Sequence, residues 1–277
     1  MGVLAGIIAL STFSGCQTVA PPKAQLTAED SGTITFAISR PHRGQKINGI
    51  GTLEFPQQAK TKYPLVVLVH GTAGVGQREQ AWADFFQSKD AATFVLDYFR
   101  PRGASSSSRY VPRPPEDVLG ALKQLSTHPK IDTGNVAIMG FSNGGSVTAL
   151  SANFVPESDT NGVIPKAYVM MYGGCAVGSQ NMYFAKGANP AVLFIAGEKD
   201  AMVGPATCEA AAKNYQIKNG KAVIIPGAYH GFDSYKNVTF NHPQWGTVTM
   251  RHDEGALSIA RNEVMAVLKQ AFSPGTF

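Results

Sequence analysis

Apolar positions follow two different patterns along the 277-residue chain. Residues 33–38 alternate apolar and polar, which predicts a strand half in contact with solvent, and residues 47–55 form a second, weaker strand interrupted by Gly49 and Gly51. From residue 64 the polar partners disappear. Residues 64–70 are a continuous apolar, β-branched run, and 93–97, 135–140, 167–172, 191–196 and 222–225 repeat it. Strands with no polar face predict a parallel sheet covered by helices on both sides. Helical spacing falls between them at 79–88, 115–127, 146–153, 205–219 and 254–271. The strongest is 115–127, where Val118, Leu119, Leu122 and Leu125 share a face and Glu116 and Asp117 occupy the first turn, where the helix dipole favours acids. Alternating strands and helices of this kind predict an α/β fold, a mostly parallel, doubly wound sheet flanked by helices, over residues 32–277 as one domain.

The N-terminal stretch obeys neither pattern. Gly2 to Phe13 is uncharged and apolar or small, too short for a permanent membrane span, and suits the apolar region of a signal peptide over residues 1–15. Phe13-Ser14-Gly15-Cys16 resembles the lipobox of bacterial lipoproteins, with Phe13 in place of the usual Leu and no Lys or Arg before the apolar run. The missing charges imply either a start further upstream or an atypical signal. Residues 16–31, with Pro21-Pro22 and no apolar period, read as a tether. The expectation is an exported periplasmic or cell-envelope lipoprotein anchored at Cys16, with a plain cleaved signal as the alternative. Removing Cys16 from the count of three leaves Cys175 and Cys208, which in an oxidising compartment either bridge or stay as buried thiols.

A net charge of +5 raises the question of nucleic acid, but the basic residues are scattered and no zinc-finger spacing or RNA-binding aromatic signature accompanies them, so no nucleic-acid partner is expected. No metal-ligand spacing, dinucleotide fingerprint or phosphate loop occurs, and no cofactor is expected.

In open α/β sheets ligands bind beyond the carboxyl ends of the strands. The predicted strand ends carry His70-Gly71-Thr72-Ala73, Gly140-Phe141-Ser142-Asn143-Gly144, Gly197-Glu198-Lys199-Asp200 and Tyr229-His230-Gly231-Phe232-Asp233. The second is a G-x-S-x-G sequence between a strand and a helix, the setting in which a serine is held exposed on a sharp turn. A serine hydroxyl needs a base to take its proton, and His230 follows the last strand in the order nucleophile, acid, histidine. Asp200 is the preferred acid over Glu198, Asp97 and Asp233, the last too close in sequence to reach the far nitrogen of His230. The backbone N–H groups of Asn143 and of Thr72, with Ala73 second, are the candidate oxyanion donors. Arg100 and Arg102, in a loop from 98 to 114 that also carries Arg109 and Arg113, are candidates for binding a substrate carboxylate. Tyr172, at the end of a buried strand, is a candidate for either pocket or core.

These residues carry a resemblance. Leu68-Val69-His70-Gly71, Asp97-Tyr98-Phe99-Arg100-Pro101-Arg102-Gly103, Met139 to Gly145, Gly197 to Asp200 and Tyr229 to Asp233 resemble the dienelactone hydrolase family of α/β hydrolases, over residues 32–273. The resemblance implies the α/β-hydrolase fold, with Ser142, Asp200 and His230 at the triad positions. The enzymes that name the family carry cysteine where this chain has Ser142, so the implied chemistry is hydrolysis of small carboxylic esters or lactones. Cys175 and Cys208 resemble a cysteine pair of a secreted branch. The competing readings are a peptidase or acyltransferase with the same three residues, and a non-catalytic envelope binding protein.

Overall fold

A computed structural model describes residues 19–155, 160–180 and 182–277. The signal segment and Cys16 lie outside the described residues.

Among the described residues, ten strands and six α-helices follow in the order β1 (Gly32–Ala37), β2 (Asn48–Glu54), β3 (Tyr63–Val69), α1 (Gln77–Gln87), β4 (Ala92–Asp97), α2 (Pro115–Leu125), β5 (Ile131–Phe141), α3 (Asn143–Phe154), β6 (Ala167–Met171), α4 (Cys175–Gln180), β7 (Ala191–Gly197), α5 (Pro205–Ala212), β8 (Asn219–Ile225), β9 (Val238–His242), β10 (Gly246–Met250) and α6 (Glu254–Ala271). Eight strands form one sheet in the order β1-β2-β4-β3-β5-β6-β7-β8. β1 and β2 run antiparallel to their neighbours; β4, β3, β5, β6, β7 and β8 are mutually parallel.

The continuous apolar runs have a simple cause. Successive strand residues point to opposite faces, and both faces are covered. Val67, Val69, Phe94 and Ile138 pack into one core with Val118 and Leu122 of α2 and Val147 of α3. Val66, Leu68, Val95 and Met139 pack into the other with Trp82 and Phe86 of α1 and Leu257 and Val264 of α6. A polar side chain between Leu65 and Val69 of β3 would lie among apolar side chains on either face.

Three elements differ from expectation. The helix expected over 205–219 ends at Ala212, because the Asn214 side chain accepts the N–H of Gln216 (3.0 Å) and donates to the Gly178 carbonyl (2.7 Å), a local turn that competes with helix. Short α4 went unpredicted. So did the two-stranded sheet of β9 and β10, whose side chains are largely exposed apart from Val248.

The described part of the segment read as a tether lies along the domain. Asn48 Nδ2 donates to the Ala20 carbonyl (3.2 Å), Gln124 Nε2 to that of Lys23 (3.1 Å), and Leu26 is buried, with its N–H on Thr127 Oγ1 (3.0 Å).

Candidate active site

The carboxyl ends of β3, β5, β7 and β8 converge at one rim, and the reactive groups sit on the turns leaving them. Between β5 and α3 the chain reverses at Ser142 with φ +51° and ψ −114°, a backbone conformation a serine adopts only when its surroundings impose it. The flanking glycines make the turn possible. A Cβ on Gly140 would collide with the Gly144 carbonyl, and one on Gly144 with the Val69 carbonyl, so strand and helix pass at backbone contact. The turn is held by Ser142 N–H on the Met171 carbonyl (2.9 Å), and α3 begins at Asn143, directly after it.

His230 Nε2 lies 3.0 Å from Ser142 Oγ, and His230 Nδ1 lies 2.8 Å from Asp200 Oδ2. Asp200 is buried, and its other oxygen accepts the N–H groups of Met202 (2.8 Å) and Val203 (2.9 Å). Those two bonds fix the carboxylate so that Oδ2 faces the imidazole. Glu198, its rival in sequence, is exposed and accepts the Gly227 N–H (2.8 Å). The structure thus brings together the three side chains singled out from the strand ends.

Asp233 is buried for a different purpose. It accepts the Trp82 indole N–H (2.8 Å) and the Tyr172 hydroxyl (2.5 Å), so it joins the His230 turn to α1 and to the end of β6. Burial raises its carboxyl above the ordinary range, against the pull of Arg78. Tyr172 has φ +37°, packs edge-on against the His230 ring at 4.9 Å, and accepts a long bond from Arg78 Nη1 (3.3 Å); burial holds its phenol well above its usual value. Arg78 is itself paired with buried Glu79 (Nε to Oε1 2.9 Å), whose other oxygen accepts the Gly76 N–H (2.9 Å). No sequence signal marked Arg78 and Glu79, which sit in a helix whose neighbours are core residues. His70 is fully buried, stacked on Tyr98 at 3.9 Å, and shapes the turn after β3.

A cavity of about 290 Å³ opens over Ser142 and His230, at the small end of ligand-sized pockets. Thr72, Asn143 and Tyr172 line it. Asn143 is the first residue of α3, so its N–H has no intrahelical partner, while its side chain is spent on Tyr98 Oη (2.9 Å), the Pro112 carbonyl (3.0 Å) and Arg113 Nε (2.8 Å). Gly173 and Gly174, with Ala176 and Val177 of α4, form one wall; Met202, Val203 and Thr207 form another. A Cys175–Cys208 disulfide, with Cα atoms 4.6 Å apart, ties α4 to α5 behind these walls.

The arginine expectation needs correction. Arg102 does not reach the cavity: it is buried, makes two 2.7 Å bonds to the carboxylate of Asp117 and a third to the Tyr98 carbonyl (3.1 Å). Burial pushes the Asp117 carboxyl up to about 6 despite that cation. Arg100 opens a short 3-10 turn (Arg100–Arg102) beside a separate hollow with Gly74 and Asp97. The arginine of this loop that lines the cavity is Arg113, and a residue not anticipated at all, Trp245 from the β9–β10 turn, lines it as well.

A family model described as BD-FAE matches residues 52–172, which include Ser142 but neither Asp200 nor His230. No curated protein matches the chain in sequence. Solved structures share the fold at low identity. The dienelactone hydrolase from Anabaena variabilis is 19% identical with a TM-score of 0.60, covering 88% of this chain and 99% of its own. Est1E from Butyrivibrio proteoclasticus is 16% identical with a TM-score of 0.59, covering 87% and 100%. A dienelactone hydrolase-like promiscuous phosphotriesterase from metagenomic libraries is 16% identical with a TM-score of 0.60, covering 87% and 100%. The neighbours are dienelactone hydrolase-like and esterase-like α/β hydrolases, and the sheet order and flanking helices of this chain are those of the same fold.

Proposed function

We propose that the protein is a serine hydrolase of small carboxylic esters or lactones, working through an acyl-enzyme on Ser142. The observation that supports this best is the unbroken chain from Asp200 Oδ2 through both His230 nitrogens to Ser142 Oγ, at 2.8 and 3.0 Å. At those distances proton transfer needs no rearrangement of the resting site. Ser142 Oγ attacks the ester carbonyl as His230 Nε2 takes its proton, and Asp200 holds the tautomer that presents Nε2 as acceptor and stabilises the imidazolium. The carbonyl electron pair moves onto oxygen, where the N–H groups of Asn143 and Thr72 receive it. Collapse expels the alkoxide, which leaves as the alcohol with the proton from His230. Water then gives a proton to His230 and attacks the acyl group, and release of the acid returns that proton to Ser142. A cavity of about 290 Å³ favours short acyl and alcohol groups.

The reading extends to location. Cys16 as a lipid-bearing residue places the enzyme in the cell envelope, and the disulfide suits an oxidising compartment. Palmitate labelling of the full chain expressed in a bacterium, lost in Cys16→Ser, tests the anchor; equal labelling of both removes it.

A fluorophosphonate probe tests the chemistry. Wild type should be labelled and Ser142→Ala should not, with turnover of short esters falling roughly 10⁴- to 10⁶-fold in Ser142→Ala and His230→Ala. An unlabelled wild type, or equal labelling of Ser142→Ala, overturns the assignment.

A further inference from the structure

The chain has two tryptophans, and they have opposite environments. Trp82 is 1% exposed in the core between α1 and the sheet. Trp245 belongs to neither core cluster, is only partly buried, and lines the cavity that contains Ser142 and His230. Leaving so large an apolar ring at a wet rim sacrifices burial that a core position would give it.

Its surroundings hold it in place. The His242 ring stacks on the indole at 4.0 Å with 26° between planes, and His242 is itself fixed because its Nδ1 accepts the Gln244 N–H (3.1 Å). The hairpin under both rings is tied by Thr247 Oγ1 to Asn241 Oδ1 (3.0 Å) and by buried Val248. Three residues past β10 the chain is held to the His230 turn by Asp253 N–H on the Phe232 carbonyl (2.9 Å). One indole face is therefore occupied, and the remaining surface is presented to the cavity with little ordering left to be lost on binding. Ala176, Val177, Met202 and Val203 supply apolar walls around the same space, Met202 with a thioether that favours ring contacts.

We infer that Trp245 is a specificity-determining residue that stacks on a planar aromatic group of the ester, carried on either its acyl or its alcohol side. This rests on Ser142 being the nucleophile of an esterase. An aromatic pair contributes enough beyond area burial to give roughly a 3- to 10-fold preference over a saturated ring of equal size.

Two size-matched pairs of esters read this out, the first varying the alcohol and the second the acyl group: benzyl acetate against cyclohexylmethyl acetate, and methyl phenylacetate against methyl cyclohexylacetate. Wild type should favour the aromatic member of at least one pair by that factor in kcat/KM. Trp245→Ala should lose the preference and Trp245→Phe should keep most of it. No preference in wild type, or the same preference in Trp245→Ala, overturns the inference. Binding is read separately from turnover in the Ser142→Ala protein, where benzyl acetate should alter indole emission and cyclohexylmethyl acetate should not, with no change in Ser142→Ala/Trp245→Phe. If wild type hydrolyses none of the four esters, the esterase reading fails by itself, and the emission titration still decides whether Trp245 stacks: an aromatic-specific change upholds it and its absence defeats it.

Discussion

Removing the Cys175–Cys208 bridge should cost both stability and substrate affinity. The bond closes a loop with a sequence separation of 33. Chain-entropy arithmetic for that length gives about 4 kcal/mol of stabilisation, acting mainly by restricting the unfolded chain. For a protein of this size 1 kcal/mol corresponds to a shift of about 2 °C, so the Cys175→Ala/Cys208→Ala protein should melt roughly 6–8 °C lower. Both cysteines are buried, at 1% and 0% exposure, so the double variant is a surer perturbation than added reductant. The bridge also joins two helices that wall the cavity, and α5 follows directly on Met202 and Val203, whose N–H groups hold Asp200. KM for short esters should therefore rise with the fall in melting temperature. The assay is differential scanning fluorimetry of the two proteins beside steady-state hydrolysis. A shift under about 3 °C would show that these helices are held by packing alone, and the loop-closure argument would fail for this site.

Further outcomes follow from buried polar groups. Asp233→Ala leaves the Trp82 indole and the Tyr172 hydroxyl without their acceptor, at about 1–3 kcal/mol each, and should lower the melting temperature by at least about 4 °C; Asp233→Asn, which still accepts one bond, should lose less. Equal melting of the two variants would contradict that account. Arg102→Met strands the Asp117 carboxylate and should cost about 3–5 kcal/mol at neutral pH in urea unfolding. The Asp117 carboxyl is at about 6 with the cation beside it and moves higher still without it, so the loss should be largest at alkaline pH and shrink as pH falls toward about 6, below which both proteins carry the acid protonated. A loss independent of pH would show that Asp117 is not the stranded group. Asp200→Asn should fold normally and lose roughly 10⁴-fold in ester turnover, since the amide presents the wrong tautomer of His230; retention of activity would point to another acid.

The parts of the molecule legible in sequence are those where geometry forces composition. β3, the second half of β5 (136–141) and β7 must be apolar on both faces, and the Ser142 turn must have glycine on either side because strand and helix touch there. Asp200 could be found because it lies three residues beyond such a strand, and His230 because it sits in the loop after β8, last in the order nucleophile, acid, histidine. Side-chain direction in loops is not forced in this way. Arg100, Arg102 and Arg113 share a loop and a charge, yet only Arg113 reaches the cavity, and the partner that takes Arg102 away is an acid in the first turn of α2, a position where the helix dipole alone accounts for an acid. The β9–β10 hairpin hides for a related reason. With Val248 as its deeply buried side chain it shows little apolar alternation, so Trp245 carried no mark of its position.

The docked N-terminal segment bears on how an anchored enzyme would meet its surroundings. From Ala20 to Asp30 the backbone is pinned to β1, β2 and the end of α2, so little free leash remains. Cys16 stands three peptide steps from Val19, a reach of about 11 Å at full extension. A lipid on Cys16, the anchor proposed above, would then keep the body of the enzyme close to the bilayer surface instead of letting it swing clear.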